Sequence, residues 1–238
     1  RYPVSAENEW YYSRSIKREA NLFARAEYSP LSWLTAYLDL QYRGVSLKMS
    51  GIDDEDDLDI GYRTSWNFFN PRAGLTFRKD YHKAYVSAAL GNREPGRSDI
   101  KEVIITNNLG GSRPDLKPEK MVDVEIGYEF ASEKVTASAN LYFMEYFDML
   151  LETGRLSDVG YAIKENVGRA YRRGAELAVA WQAAPWVRLD ANATLSMNRI
   201  RNYVEYYTVI DEDWNEKGQK AVEYGTTRML MSPSVVGF

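Results

Sequence analysis

Apolar and polar side chains alternate along most of this chain. From Val122 to Phe130, every even-numbered residue is apolar and every odd-numbered residue is acidic or glycine. Successive side chains of a strand point to opposite faces, so this pattern predicts a strand with one apolar and one polar face. The same pattern recurs in the segments 21–28, 33–43, 135–143, 174–181 and 187–196, more weakly in 70–78 and 83–91, and in a last strand that starts near Met229. We therefore predict an all-β fold of about nine antiparallel strands, with no dependable helix.

The connections between these strands alternate in length. Short connections fall at 29–32, 78–82, 131–134 and 183–186, and long polar ones fall at 48–66, 92–118, 149–166 and 200–228. Outer-membrane barrels have short periplasmic turns and long extracellular loops. Aromatic residues near strand ends, such as Trp33, Phe130 and Trp181, suit the headgroup level of a bilayer. The pattern favours an antiparallel transmembrane β-barrel segment.

A soluble β-sandwich is the structural alternative, because its strands also alternate. The two hypotheses differ in what covers the apolar face, which carries Leu38, Ile126, Leu141 and Leu189. In a barrel these side chains face lipid, whereas in a sandwich a second sheet buries them.

Composition excludes several classes of function. Lys and Arg number 30 against 34 Asp and Glu, so no global basic field attracts nucleic acid. The chain has no Cys and one His, which excludes disulfides, thiolate metal sites and iron–sulfur clusters. No Ser/His/Asp set and no phosphate-binding glycine loop is present, so we expect neither an enzyme nor a bound cofactor. His82 is interpreted as a surface histidine of a short turn.

Three segments resemble the barrel of TonB-dependent outer-membrane receptors, in the order that the family shows. The first is Asn70-Pro71-Arg72-Ala73-Gly74-Leu75. The second is Asn92-Arg93-Glu94-Pro95 with Asp99, followed by a long loop and by Asp115-Leu116-Lys117-Pro118-Glu119-Lys120, which leads into the strand that contains Val124–Tyr128. The third is Asn166-Val167-Gly168 followed by Arg173-Gly174-Ala175-Glu176-Leu177. The resemblance implies that residues 1–238 form a C-proximal part of a barrel of about 22 strands, with the plug domain outside this chain.

The resemblance also implies a function, a location and partners. The function is active uptake, in the outer membrane, of a scarce nutrient such as a ferric siderophore or another metal chelate or cofactor. The partners are the TonB energy-coupling complex, reached through a plug segment outside this chain, outer-membrane lipid and lipopolysaccharide, and a small-molecule substrate. The alternative functions are a non-transport outer-membrane barrel, acting as an adhesin or scaffold, and a carbohydrate-binding sandwich.

The polar face is predicted to be the wall of the barrel lumen. Its charged residues are assigned as Asp39, Arg43, Asp123, Glu125, Arg173, Glu176 and Arg188. Gly127 and Gly174 are assigned to the same face, where a missing side chain leaves room for a close neighbour. The resemblance implies that this neighbour is the plug.

Two long loops hold the candidate ligand contacts. Arg93, Arg97 and Arg113 of loop 92–118 are candidates for an anionic ligand such as a ferric chelate. In loop 200–228, the rings of Tyr203, Tyr206, Tyr207 and Trp214 are candidates for stacking on a planar or sugar-like ligand. The acidic run Asp53–Asp59 is either a calcium site or a solvated loop, and its spacing does not match an EF-hand.

Overall fold

The computed structural model describes residues 12–53, 58–107, 109, 114–156 and 160–229, and the backbone of 236–237. These residues form one antiparallel sheet and one helix. The strands are β1 (Tyr12–Leu31), β2 (Leu34–Asp53), β3 (Leu58–Asp59), β4 (Tyr62–Lys79), β5 (His82–Arg93), β6 (Glu119–Ala131), β7 (Val135–Leu156), β8 (Ala162–Ala184), β9 (Val187–Ile210), β10 (Glu216–Arg228) and β11 (Val236–Gly237). The helix α1 (Arg97–Thr106) lies between β5 and β6. None of the described helical residues forms a helix long and apolar enough to cross a membrane.

The strands lie in sequence order, β1-β2-β4-β5-β6-β7-β8-β9-β10, while β3 pairs with β2 and β11 pairs with β9. All four predicted short turns are confirmed, at 32–33, 80–81, 132–134 and 185–186. Because neighbouring strands are antiparallel, these turns share one end of the sheet, which we call the turn end. The strand ends at 53, 62, 93, 119, 156, 162, 210 and 216 lie at the opposite end, which we call the loop end.

The predicted loop 200–228 is wrong. The predicted loops 48–66 and 149–166 are too long, since β2 continues to Asp53, β4 begins at Tyr62, β7 continues to Leu156 and β8 begins at Ala162. Strand β9 continues to Ile210, and β10 occupies Glu216–Arg228, so only residues 211–215 connect them. This part of the sheet carries polar side chains on both faces, and the alternation that marks a strand is lost. The strand expected from Met229 is also wrong at its start, because Met229 lies outside a strand. Backbone 236–237 pairs with Thr194 and Leu195, and residues 230–235 and 238 lie outside the described part of the chain.

The apolar face is exposed, as a lipid-facing surface requires. Leu38, Ile126, Leu141 and Leu189 are each between 42% and 54% exposed. They share one face through direct pairs such as Ile126 with Leu141. The described strands all belong to one sheet, so no second sheet covers this face among them. The sandwich interpretation is therefore wrong, and we call this face outward and the opposite face inward.

Aromatic rings border the outward face at the turn end. Trp33 stacks on Phe77 with ring centroids 5.8 Å apart, and Phe130 meets Tyr81 edge-on at 6.3 Å. His82 lies in the same row, with its Nδ1 2.6 Å from the Tyr128 hydroxyl oxygen. This row has the composition of the aromatic girdle that marks a membrane interface.

The inward glycines accommodate tyrosine rings from neighbouring strands, and the predicted contact of these glycines with the plug stays a prediction. A Cβ on Gly127 would lie 2.1 Å from Cε1 of Tyr85 on β5, and a Cβ on Gly174 would lie 2.3 Å from the Tyr142 hydroxyl oxygen on β7. Gly74 holds Tyr37 of β2 in the same way, at 2.6 Å. The bare backbone thus provides a seat on which each ring lies against the sheet.

Arg173 is the one charged residue that we assigned to the wrong face. It pairs with Phe143 on one side and Met197 on the other, and both belong to the outward face. The remaining six assigned charges keep the inward parity in the observed register.

Helix α1 packs on the inward face and contradicts the expectation of no helix. Its buried residues Ile100, Val103 and Ile104 belong to one apolar cluster with inward residues of β2 and β4. The residues of β2 and β4 in this cluster are Val45, Leu47, Met49, Tyr62, Trp66 and Phe68, and β7 contributes Leu150. The β5–β6 connection therefore folds into the concave side of the sheet at the loop end, which explains why inward positions there are apolar.

Candidate ligand site at the loop end

A cavity lined by several cationic side chains lies on the inward face, at the junction between the end of β5 and the start of α1. Its volume is about 420 Å³. The strands β1, β2 and β5 supply the inward residues Lys17, Arg43 and Arg93, and α1 supplies its first residue, Arg97. The remaining lining residues are Leu47, Trp66, Glu94, Pro95 and Gly96. Four cations thus face one carboxylate in the lining.

Glu94 holds the start of the β5–β6 connection against the strand wall. Its two carboxylate oxygens accept hydrogen bonds of 2.8 Å from Nη1 and Nη2 of Arg43 and one of 2.5 Å from Nζ of Lys17. Arg43 also donates to both carboxylate oxygens of Glu19, at 2.8 and 2.9 Å. Burial raises the pKa of Glu94, but the hydrogen bonds from Lys17 and Arg43 outweigh it, and the pKa lies below its usual value. The charged network therefore fixes the backbone segment that lies between Arg93 and Arg97.

Arg93 and Arg97 line the cavity and are both exposed to solvent. The Arg93 side chain is 69% exposed, although its Nη2 lies 2.7 Å from Oε2 of Glu119. The other oxygen of Glu119 accepts a hydrogen bond from the backbone N–H of Leu150, so both oxygens of this carboxylate have protein partners. Arg97 is exposed, and its Nη1 donates to Oγ of Ser15 at 3.2 Å. Two exposed guanidinium groups in one concave site can bind carboxylate, phosphate or hydroxamate-type oxygens.

The structure brings together only part of the predicted ligand set. Arg93 and Arg97 line the same cavity, and Arg113 lies outside the described residues. Tyr206 lies on β9 with the guanidinium carbon of Arg155 5.8 Å from its ring centroid, and Trp214 is 82% exposed in the β9–β10 turn. Neither ring lines the arginine cavity.

The other tyrosines of that predicted group have structural partners. The Tyr203 hydroxyl donates to the backbone oxygen of Glu152, and the Tyr207 hydroxyl donates to Glu205. The stacking role of Tyr206 and Trp214 therefore stays a prediction. Sequence reasoning missed Lys17, and it interpreted Arg43 only as lumen wall, because a linear pattern does not show which strand residues meet a distant loop.

A second, larger cavity of about 610 Å³ lies between α1, residues 114–118 and β8. Its lining carries Asp115, Lys117, Asp148 and Glu165, so it lacks the cationic excess of the first. Asn166 closes one side, since its amide nitrogen donates to the backbone oxygens of Lys117 and Asp148 and its amide oxygen accepts from the Lys117 N–H. This asparagine ties the entry of β6 to β8, which is a structural role.

Two carboxylates of the acidic run Asp53–Asp59 have structural partners. Asp53 lies 2.6 Å from Nζ of Lys101 on α1, and Asp59 accepts the Gly61 N–H at 2.7 Å. Residues 54–57 lie outside the described part of the chain. Within the described part, no group of three or more His, Cys, Asp or Glu side chains is placed to hold a metal ion.

Comparison with known proteins identifies the family. Residues 2–232 match the sequence profile described as "TonB dependent receptor-like, beta-barrel". The chain belongs to the TonB-dependent receptor family. It is therefore an outer-membrane protein, and its sheet is part of the barrel of such a receptor. The predicted family, fold class and location are confirmed.

Individual relatives agree with this family. The chain is 31% identical over 138 residues to the pesticin receptor of Yersinia enterocolitica, a match that covers 57% of this chain and 19% of that protein. Among solved structures, the fold is similar to the copper transporter OprC with a TM-score of 0.65, at 15% identity over 77% of this chain and 29% of that one. It is also similar to the ferric yersiniabactin uptake receptor FyuA from Yersinia pestis, with a TM-score of 0.58, at 16% identity over 80% of this chain and 28% of that one. The chain thus spans about a fifth of the curated relative's length and under a third of each structure.

Proposed function

We propose that the receptor to which this chain belongs takes up a metal chelate with net negative charge, a ferric siderophore being the leading class. The observation that carries this proposal is the pair of exposed guanidinium groups of Arg93 and Arg97 in the inward cavity at the loop end. The names of the relatives, a pesticin receptor and a ferric yersiniabactin uptake receptor, support a metal-chelate substrate. Energy for uptake comes from the TonB complex, acting through a plug outside this chain.

The geometry assigns different roles to the four cations. Lys17 and Arg43 form ion pairs with Glu94 and Glu19, so their charges are compensated and they hold the loop in place. Arg93 and Arg97 are exposed in the cavity lining and would contact the substrate first. The protein then acts as a receptor and performs no bond-making chemistry.

Binding to the full-length receptor in detergent tests the proposal. The probes are ferric yersiniabactin, one ferric catecholate and Cu²⁺ alone, each measured by tryptophan fluorescence quenching. We expect one of the ferric chelates to bind and Arg93→Gln with Arg97→Gln to weaken it at least tenfold. Arg25→Gln with Arg188→Gln is the matched control, because it removes two inward arginines near the turn end that do not line the cavity.

Uptake of iron by cells grown under iron limitation gives the second readout. The full-length gene with Arg93→Gln and Arg97→Gln should fail to restore uptake of ⁵⁵Fe supplied as the chelate that binds, at equal protein in the membrane. Unchanged binding and uptake in this variant would refute the site. If Cu²⁺ alone binds tightly and neither ferric chelate binds, the proposed substrate class, a ferric siderophore, is wrong.

A further inference from the structure

Strand β4 loses its partner on one side about halfway along its length. It pairs with β5 only from Lys79 to Arg72, whereas it pairs with β2 as far as Tyr62. Strand β5 continues beside β6 and ends at Arg93. Among the described residues, the loop-end half of β4 therefore has a strand on one side only.

A proline and two asparagines end the pairing between β4 and β5. Pro71 has no N–H group, so it cannot donate to a ladder. Oδ1 of Asn70 accepts hydrogen bonds from the backbone N–H and the amide nitrogen of Asn92 on β5, at 3.0 and 2.9 Å. The same amide nitrogen donates to the carbonyl oxygen of Phe69 at 3.2 Å. Side chains thus replace the backbone hydrogen bonds at this level, and the two strands separate.

The hydrogen bond at Phe69 shows which backbone groups of β4 face the open side. The Phe69 carbonyl points toward β5, and in a strand the backbone groups of alternate residues point to the same side. The N–H and C=O groups of Arg63, Ser65 and Asn67 therefore point to the open side, and we call these three residues the β4 edge. No backbone hydrogen bond joins them to the described part of the 94–118 connection.

The β4 edge lies beyond the lipid-facing surface. The outward side chains of β4 change from Phe69, which is 52% exposed, to the polar and exposed residues of the β4 edge. Unpaired backbone groups are not tolerated in hydrocarbon, but water can satisfy them. The edge lies inside the sheet, between β4 and β5, so strands added beside β1 or β10 do not cover it. An exposed edge of this kind is a template for a further strand.

The side chains beside the β4 edge define the segment that fits it. Trp66 and Phe68 point inward into the apolar cluster, so inward residues of an added strand should be apolar. On the outward face, Arg63 pairs with Lys48 of β2, and both side chains are exposed. A carboxylate on the other side of Arg63 would offset this pair of like charges. The fitting segment therefore alternates apolar and acidic residues.

We propose that the β4 edge binds an extended segment of another polypeptide, with alternating apolar and acidic residues, by strand addition. Main-chain hydrogen bonds supply the affinity of such a contact, and alternate side chains supply its specificity. A second copy of the receptor is not this partner. Two copies in one membrane have the same orientation, whereas two identical edges related by a two-fold axis pair in antiparallel directions. The proposal does not depend on the transported substrate, because the β4 edge does not line the arginine cavity.

Hydrogen exchange resolved by residue, on the full-length receptor in detergent, tests whether the edge is free. We expect the amides of the β4 edge to exchange rapidly and those of Thr64 and Trp66 to be protected by β2. Ser65→Pro should therefore leave the stability unchanged, whereas Thr64→Pro should lower it, because it removes a ladder hydrogen bond. Protection of the β4 edge amides would show that another part of the receptor covers them, which would overturn the proposal.

Binding of synthetic peptides, measured by fluorescence anisotropy, tests the occupant. The probe is a nine-residue peptide of alternating valine and glutamate, and we expect it to bind the full-length receptor saturably. Ser65→Pro should weaken this binding at least tenfold. Arg63→Glu should weaken it severalfold and should favour the corresponding valine and lysine peptide. Lys79→Glu, which reverses an exposed charge at the turn end of the same strand, is the control and should bind as the wild type does.

A third peptide separates strand addition from other contacts. It has the sequence of the glutamate probe with N-methyl groups on alternate residues, so that its bonding edge is blocked. Equal binding of this peptide would overturn strand addition, and equal binding of the lysine peptide to the wild type would overturn the acidic character of the partner. Absence of saturable binding by the glutamate probe would refute the proposal as a whole.

Discussion

Gly127→Ala tests whether the inward glycines are seats for tyrosine rings. The new Cβ would lie 2.1 Å from Cε1, 2.3 Å from Cζ and 2.6 Å from the hydroxyl oxygen of Tyr85. Carbon atoms in contact are about 3.5–4.0 Å apart, so the ring has to move by more than about 1 Å. That movement breaks the hydrogen bond from the Tyr85 hydroxyl to Oδ1 of Asn140, which is 2.9 Å long.

The expected cost follows from three contributions. Loss of the hydrogen bond costs about 0.5–1.5 kcal/mol, and overpacking costs about 1–3 kcal/mol. Alanine regains about 0.5–1 kcal/mol over glycine in a strand. The net effect is a loss of about 2 kcal/mol in the free energy of unfolding, measured by urea titration of the full-length receptor in detergent.

Two further variants make this prediction refutable. Gly168→Ala on β8 meets no heavy atom within 4 Å, so it should leave stability unchanged or raise it. In a Tyr85→Ala background, Gly127→Ala should cost almost nothing, because the ring that it displaces is absent. Additive effects of Gly127→Ala and Tyr85→Ala would show that the close approach does not determine the stability.

Two other predictions concern the outward face and the loop network. Leu141→Arg places a charge on the lipid-facing surface and should lower the free energy of unfolding by about 2–4 kcal/mol in a bilayer. Ser138→Arg lies inward on the same strand, opposite Glu129, and should lower it much less. Equal losses for the two variants in urea unfolding would contradict the face assignment. Because the pKa of Glu94 is lowered by Lys17 and Arg43, its ion pairs contribute stability above the unfolded-state pKa, and that stability is lost as the pH falls through the lower folded-state pKa. Acidification from about pH 5 to about pH 3 should therefore destabilise the wild type more than Glu94→Gln, while Glu133→Gln, an exposed carboxylate in a turn, should behave as the wild type.

Alternation predicts strands well where one face is apolar and fails where both faces are polar. From Val122 to Phe130 and from Val135 to Phe143, predicted and observed strands agree because lipid contacts every second residue. At the loop end, residues such as Lys220 and Glu223 of β10 face solvent, and their backbone pairing leaves no hydrophobic pattern. The pattern of alternation therefore does not predict where a strand ends once it extends beyond the membrane.

Helix α1 escaped prediction for a local reason. Its buried residues Ile100, Val103 and Ile104 cover little more than one helical turn, and its N-cap makes no side-chain hydrogen bond. Packing on Leu47 and Trp66 stabilises it, and those contacts join segments distant in sequence. The same distance explains the ligand site, where Arg93 and Arg97 were predictable from one loop but their neighbours Lys17 and Arg43 were not.

We expect this sheet to cross the outer membrane with its loop end outside the cell. The chain contributes no cysteine of its own, so a single introduced cysteine reports one position. Trp214→Cys, in the β9–β10 turn at the loop end, should react with a membrane-impermeant maleimide on intact cells. Glu133→Cys, in the β6–β7 turn, should react only after the outer membrane is permeabilised. Labelling of Glu133→Cys on intact cells, with Trp214→Cys protected, would contradict the account.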